Sequence, residues 1–184
     1  MLHARTAVSL LFVFMLTLVA TTRPGEAASA ADIDNDVNAT LNRFYRNIDG
    51  SRDLASRAAG VLVFPSIVKA GFGIGGEYGE GAMRVKGKTA DYYNTVAASV
   101  GFQLGVQARS VIIMFMTEDA LRRFRRVRGW KVGVDGSVAI VTVGIGGSLD
   151  SNQIRQPVVG FILDEKGLMY NLTLEGSKIT RIAR

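Results

Sequence analysis

The chain has no cysteine among its 184 residues, and its one histidine, His3, lies in an N-terminal leader. No disulfide, thiol nucleophile or lipid-modified N-terminal cysteine is therefore available. Beyond the leader the commonest general base is missing, and so are most side chains that hold transition metals. Asp, Glu, Lys, Ser and Tyr chemistry stays open. Yet the sequence has no paired-carboxylate motif, serine elbow or GxxxxGK[ST] phosphate loop. These absences argue against an enzyme. No catalytic residue, metal ligand or cofactor is assigned.

The leader has the layout of a secretory signal peptide. Arg5 gives a short positive segment, Ala7 to Ala20 is a 14-residue apolar run, and Ala28-Ser29-Ala30 fits a cleavage site. A membrane-spanning helix would need roughly 20 apolar residues. Cleavage is expected before Ala31, leaving residues 31–184 as one domain in a periplasmic or secreted protein. Removing Arg5, Arg23 and Glu26 leaves 20 basic and 15 acidic residues, a net +5. An exported basic protein meets membrane surfaces, anionic glycans and acidic proteins rather than nucleic acid. The same charge also serves solubility.

Ile33, Val37, Leu41, Phe44 and Ile48 recur at helical spacing, and Asp32, Asp34 and Asp36 suit the start of a helix. Ser51 is expected to cap a short second helix ending before Gly60. The pattern then becomes extended. Val61–Phe64 reads as a strand broken by Pro65, and Phe72–Tyr78 pairs with Ala82–Lys86 across Gly79-Glu80-Gly81. Thr95–Gln107 alternates, and Ser110–Met116 is apolar throughout, as in a strand buried on both faces. Val138–Ser148 combines β-branched residues with glycine, and Val158–Leu163 with Leu168–Leu174 forms a hairpin. Gly71, Gly73, Gly75 and Gly79 share one strand face, which implies that another segment comes close. The expected fold is α+β: a strongly curved or barrel-like antiparallel sheet of seven or eight strands, two N-terminal helices and one internal helix. Gly71 to Gly76 formally fits GxGxxG, but the following residues are extended rather than helical, so no dinucleotide site follows.

Thr117 can cap an internal helix with Glu118 and Asp119 in its first turn and Ala120, Leu121, Phe124 and Val127 inward. Arg122, Arg123, Arg125, Arg126 and Arg128 take the rest, and Lys131 follows Trp130. No acid stands four residues from the later arginines. Guanidinium groups bind phosphate bidentately. A solvated face or charges suited to a helix C-terminus would also produce arginines, though two or three would suffice. Trp130 fits either a membrane interface or a core.

Gly60-Val-Leu-Val-Phe-Pro65 and Lys69-Ala-Gly-Phe-Gly73-Ile-Gly-Gly-Glu-Tyr-Gly79-Glu-Gly81 resemble the opening of SYLF domains. In order follow Ala98 to Gly105, Val111 to Met116, Gly133-Val-Asp135, Gly167-Leu-Met and Leu174 to Ile179. The resemblance implies a non-catalytic domain that binds anionic membrane lipids. In eukaryotic members phosphoinositides are bound, some members also bind actin filaments, and a basic amphipathic N-terminal helix is linked to membranes. Here that helix offers Arg43 and Arg46 behind its aspartates. By charge rather than by the resemblance, the headgroup-binding candidates are Arg122, Arg123, Arg125, Arg126, Arg128 and Lys131, together with Lys69, Arg43 and Arg46. The alternative is an envelope interaction protein whose basic face meets an acidic protein or glycan; oligomeric state stays open.

Overall fold

One very long hairpin organises the protein. The computed structural model describes residues 28–141, 149, 154–164, 167–168, 174 and 176–184. Strand β1 (Gly60–Val85) and strand β2 (Lys88–Phe115) pair antiparallel over their whole length, from Gly60↔Phe115 to Val85↔Lys88. The turn is Lys86-Gly87, with φ of 50° and 77°. Two consecutive left-handed residues give the hairpin turn whose twist matches that of the strands.

This corrects the expected breaks at Pro65 and at Gly79-Glu80-Gly81, and it joins Thr95–Gln107 to Ser110–Met116 in one strand. Register shifts at Phe64/Ile67, Gly71/Gly73 and Met83/Arg84 bend the ribbon without ending it. The first of them accommodates Pro65, which has no N–H to donate. Its carbonyl accepts from the Ser110 hydroxyl at 2.6 Å.

The bends fold β1 back on itself. A Cβ on Gly79 would sit 2.7 Å from the Ser66 carbonyl oxygen, and one on Gly81 would sit 2.8 Å from the Val63 carbonyl carbon. At Gly79, the close approach expected of the glycine face is thus made by the strand's own first half; the surroundings of Gly71 and Gly73 lie outside what is described.

Helix α1 (Ala30–Asn47) precedes helix α2 (Ser51–Arg57), and helix α3 (Glu118–Arg126) follows the ribbon. Short strands β3 (Trp130–Lys131), β4 (Ala139–Ile140), β5 (Val158–Asp164), β6 (Gly167–Leu168) and β7 (Lys178–Ile182) complete the sheet. Its order is β3-β7-β2-β5-β4, with β1 on β2 and β6 on β5. The fold is α+β with three helices on a strongly curled half-barrel. The sheet is mixed, not wholly antiparallel, because β4 runs parallel to β5. The hairpin of β5 and β6 is present. The glycine-rich run 144–147 and residues 169–173 lie outside the described residues.

Two cores flank the sheet. Val111, Ile113 and Phe115 join Leu121, Phe124 and Trp130 on the α3 side. Ile112 and Met114 join Val37, Phe44, Leu54 and Phe161 on the α1 side. The continuous apolar run is buried on both faces, as its composition implies.

Ser29 caps α1 through a capping box with Asp32. Asp34 does more than face the helix dipole: it accepts from Thr89 at 2.7 Å and Tyr92 at 3.1 Å and pairs with Arg84 at 3.5 Å. Ser51 is not the cap of α2. Gly50 takes that position, and the buried Ser51 hydroxyl donates to the Ile48 carbonyl at 2.5 Å.

Candidate functional site: a basic surface around the third helix

Thr117 caps α3, its hydroxyl oxygen accepting from the Ala120 N–H at 3.2 Å. Ala120, Leu121 and Phe124 face inward, where Phe124 packs on Phe115, Tyr93 and Trp130 with ring centroids 4.7, 5.2 and 5.4 Å away. Trp130 is buried, so it belongs to the core. Val127 departs from the expected inward stripe: the helix ends at Arg126, the chain turns extended, and Val127 is 40% exposed. Arg128 likewise lies beyond the helix, and Lys131 is exposed on β3.

The arginines divide by partner. Arg122 reaches Asp119 at 3.4 Å, and Arg123 pairs with the same carboxylate. Arg125 turns to the side and meets Asp91 at 2.7 Å. Among the described residues, Arg126, Arg128 and Lys131 have no acidic partner within salt-bridge distance. Exposed pairs such as those on Asp119 are worth about 0–1 kcal/mol. One Asp119 carboxylate offsets only one of the two guanidiniums it meets, so the surface keeps a net positive charge.

The C-terminal strand adds charges that local sequence reasoning missed. Arg181 meets Asp91 at 2.5 Å from the other side, so one carboxylate, 2% exposed, serves two guanidiniums. Lys178 stands directly opposite Lys131 in the β3–β7 pair. Between the end of α3 and β7 lies a cavity of about 670 Å³, walled by Arg125, Arg126, Arg128, Lys178 and Arg181 and floored by Tyr93 and Phe124. Burial first, then the Asp91 charge, pushes the Tyr93 hydroxyl up to about 12. The one local signal for these residues was the run Lys178-Ile-Thr-Arg-Ile-Ala-Arg184, which holds three cations and no acid.

The remaining candidates lie elsewhere. Arg43 and Arg46 are on α1, whose buried residues belong to the opposite core. Arg43 donates to the Ser110 hydroxyl at 2.7 Å, while Arg46 is exposed. Lys69 lies 3.8 Å from Glu77, which also pairs with Arg109 at 2.5 Å. The structure therefore brings Arg125, Arg126, Arg128 and Lys131 together with Lys178 and Arg181, and leaves Arg43, Arg46 and Lys69 apart from them.

Residues 96–183 match the model of a family described as Ysc84, Las17-binding protein actin regulator. The match runs from within β2 through β7 and includes the whole basic surface, but not Arg43, Arg46 or Lys69. No curated protein matches the chain.

Proposed function

For a chain whose residues 96–183 belong to the Ysc84 (SYLF) family of binding domains, we propose non-enzymatic binding of anionic phospholipid headgroups at a membrane surface. The observation that carries this reading is the cationic surface of α3, β3 and β7, where Arg126, Arg128, Lys131 and Lys178 have no acidic partner among the described residues. Val127 and Val134, 40% and 73% exposed, place apolar side chains beside the charges. Helix α1 is a poorer contact. Its apolar face is buried, with the Phe44 ring packed at a tilt on Phe161, centroids 4.9 Å apart, and Asp34 ties it to the sheet. Among the described residues no helix is long and apolar enough to cross a membrane. The reading is of an exported protein, its leader removed, held peripherally on a periplasmic or outer surface.

A basic residue near an anionic membrane contributes roughly 1 kcal/mol before screening. Several together give an affinity that falls as salt rises. Sedimentation with phosphatidylglycerol or cardiolipin vesicles should capture the protein, and phosphatidylcholine vesicles should not. Equal capture by both kinds, or by neither, sinks the reading. The family description names a protein partner, and this favours a second reading in which the basic face meets an acidic envelope protein or glycan. A partner recovered from envelope extract after complete delipidation would support that alternative.

A further inference from the structure

We propose that the cavity between the end of α3 and β7 receives one phosphomonoester group, inserted end-on between the two basic walls. The inference rests on the anionic-headgroup reading and narrows it from a charged surface to a pocket with a chemical preference. Five cations surround the space: Arg125, Arg126 and Arg128 on one wall, Lys178 and Arg181 on the other. Asp91 is the only carboxylate bonded to any of them among the described residues, and it is already shared. Both of its arginines keep further N–H donors, since a guanidinium has five.

Lys131 and Lys178 face each other across a strand pair, an arrangement that destabilises a sheet. Arg126 and Arg128 add to the same unbalanced charge. An anion in the cavity would relieve this repulsion. Gly129, with φ of 70°, lets the Lys178 side chain lie against its backbone, which sets that ammonium beside the end of α3 at the edge of the cavity. A phosphomonoester presents three terminal oxygens and about −1.5 to −2 charge. A diester phosphate has two free oxygens, one charge and a substituent on each side. The cavity therefore suits the terminal phosphate of phosphatidic acid, or of a soluble sugar or glycerol phosphate, better than the internal phosphate of phosphatidylglycerol.

Asp91 acts as a positioning residue. It is buried, and it holds Arg125 and Arg181 from opposite sides of the opening.

The test uses phosphatidylcholine vesicles carrying either phosphatidic acid or phosphatidylglycerol at matched surface potential. Glycerol 3-phosphate serves as a soluble probe, followed by amide NMR shifts. Phosphatidic acid vesicles should bind about tenfold more tightly, the smaller end of what one extra charge-assisted hydrogen bond does to an equilibrium constant. Lys178→Gln with Arg181→Gln should abolish that preference: it weakens binding to both vesicles through the lost charge, but phosphatidic acid binding falls about tenfold further, to the level of phosphatidylglycerol. Glycerol 3-phosphate should shift the Tyr93 and Thr180 amides in the wild type only. If the β7 variant fails to fold, Arg126→Gln with Arg128→Gln tests the opposite wall.

Equal binding of both lipids, with no response to glycerol 3-phosphate, overturns the pocket while the broader lipid reading stands. If no anionic vesicle binds, the lipid reading falls. The pocket then stands as a soluble phosphomonoester site if the amides shift, and falls if they do not.

Discussion

Replacing Gly81 by alanine tests the fold where β1 crosses itself. The new methyl group would be driven into the Val63 carbonyl, 2.8 Å from its carbon and 2.9 Å from Phe64 Cδ1. Val63 is held in the ladder opposite Ile112, and both are fully buried. Neither backbone can yield cheaply. Overpacking a core costs about 1–3 kcal/mol, and a clash with paired backbone belongs at about 3. At about 2–4 °C per kcal/mol for a domain this size, the melting temperature should fall by about 6–12 °C.

Gly76→Ala, five residues earlier on the same strand, is the control. Its Cβ would meet only the Ala97 carbonyl oxygen at 3.7 Å, an ordinary contact. That change should be neutral or stabilising by about 0.4–1 kcal/mol, because it restricts the unfolded chain. Urea unfolding followed by circular dichroism reads both. If Gly81→Ala is within about 0.5 kcal/mol of wild type, or if the two glycines respond alike, the crossing is wrong.

Asp91→Asn leaves two guanidiniums without their shared partner; both are substantially exposed and can be rehydrated, so a loss of only about 1 kcal/mol in urea unfolding is expected. Ser29→Ala removes the cap of α1 and should cost about 1 kcal/mol. A chain trimmed to begin at Ala31 should show at least the same loss, readable by melting the two forms side by side. Folded Tyr93 titrates at about 12 against an ordinary 10.0, so the native state keeps its proton longer than the unfolded chain. That contribution is intact below pH 10 and is lost as pH climbs toward 12, so stability should fall across this window and fall less in Tyr93→Phe.

Local patterns carried the helices and the doubly buried strand. Ile33, Val37 and Phe44 sit at helical spacing and are buried on one face, while Val111 to Phe115 alternate between two cores. The glycine face announced a close approach, but the partners of Gly79 and Gly81 are Ser66 and Val63, far back on the same strand. Nothing local specifies such a fold-back, which depends on bulges. Pro65 and Gly79-Glu80-Gly81 carry the residues of turns, yet the true turn uses Lys86 at φ 50°, an uncommon conformation for lysine. The arginine helix was legible because its charges are contiguous. Asp91, Lys178 and Arg181 were not, because β2 and β7 bring them to α3 only through tertiary pairing.

The placement of binding on the third helix is tested most directly by comparing two charge-neutralised variants on phosphatidylglycerol vesicles. One carries Arg122→Gln, Arg123→Gln, Arg126→Gln and Arg128→Gln, with Arg125 retained because it is bonded to Asp91. The other carries Arg43→Gln and Arg46→Gln. At roughly 1 kcal/mol per charge before screening, the first should bind at least about tenfold more weakly and lose most of its salt dependence. The second should bind nearly as the wild type does. If the fourfold variant stays folded and binds normally while the α1 pair abolishes binding, the surface has been placed on the wrong helix.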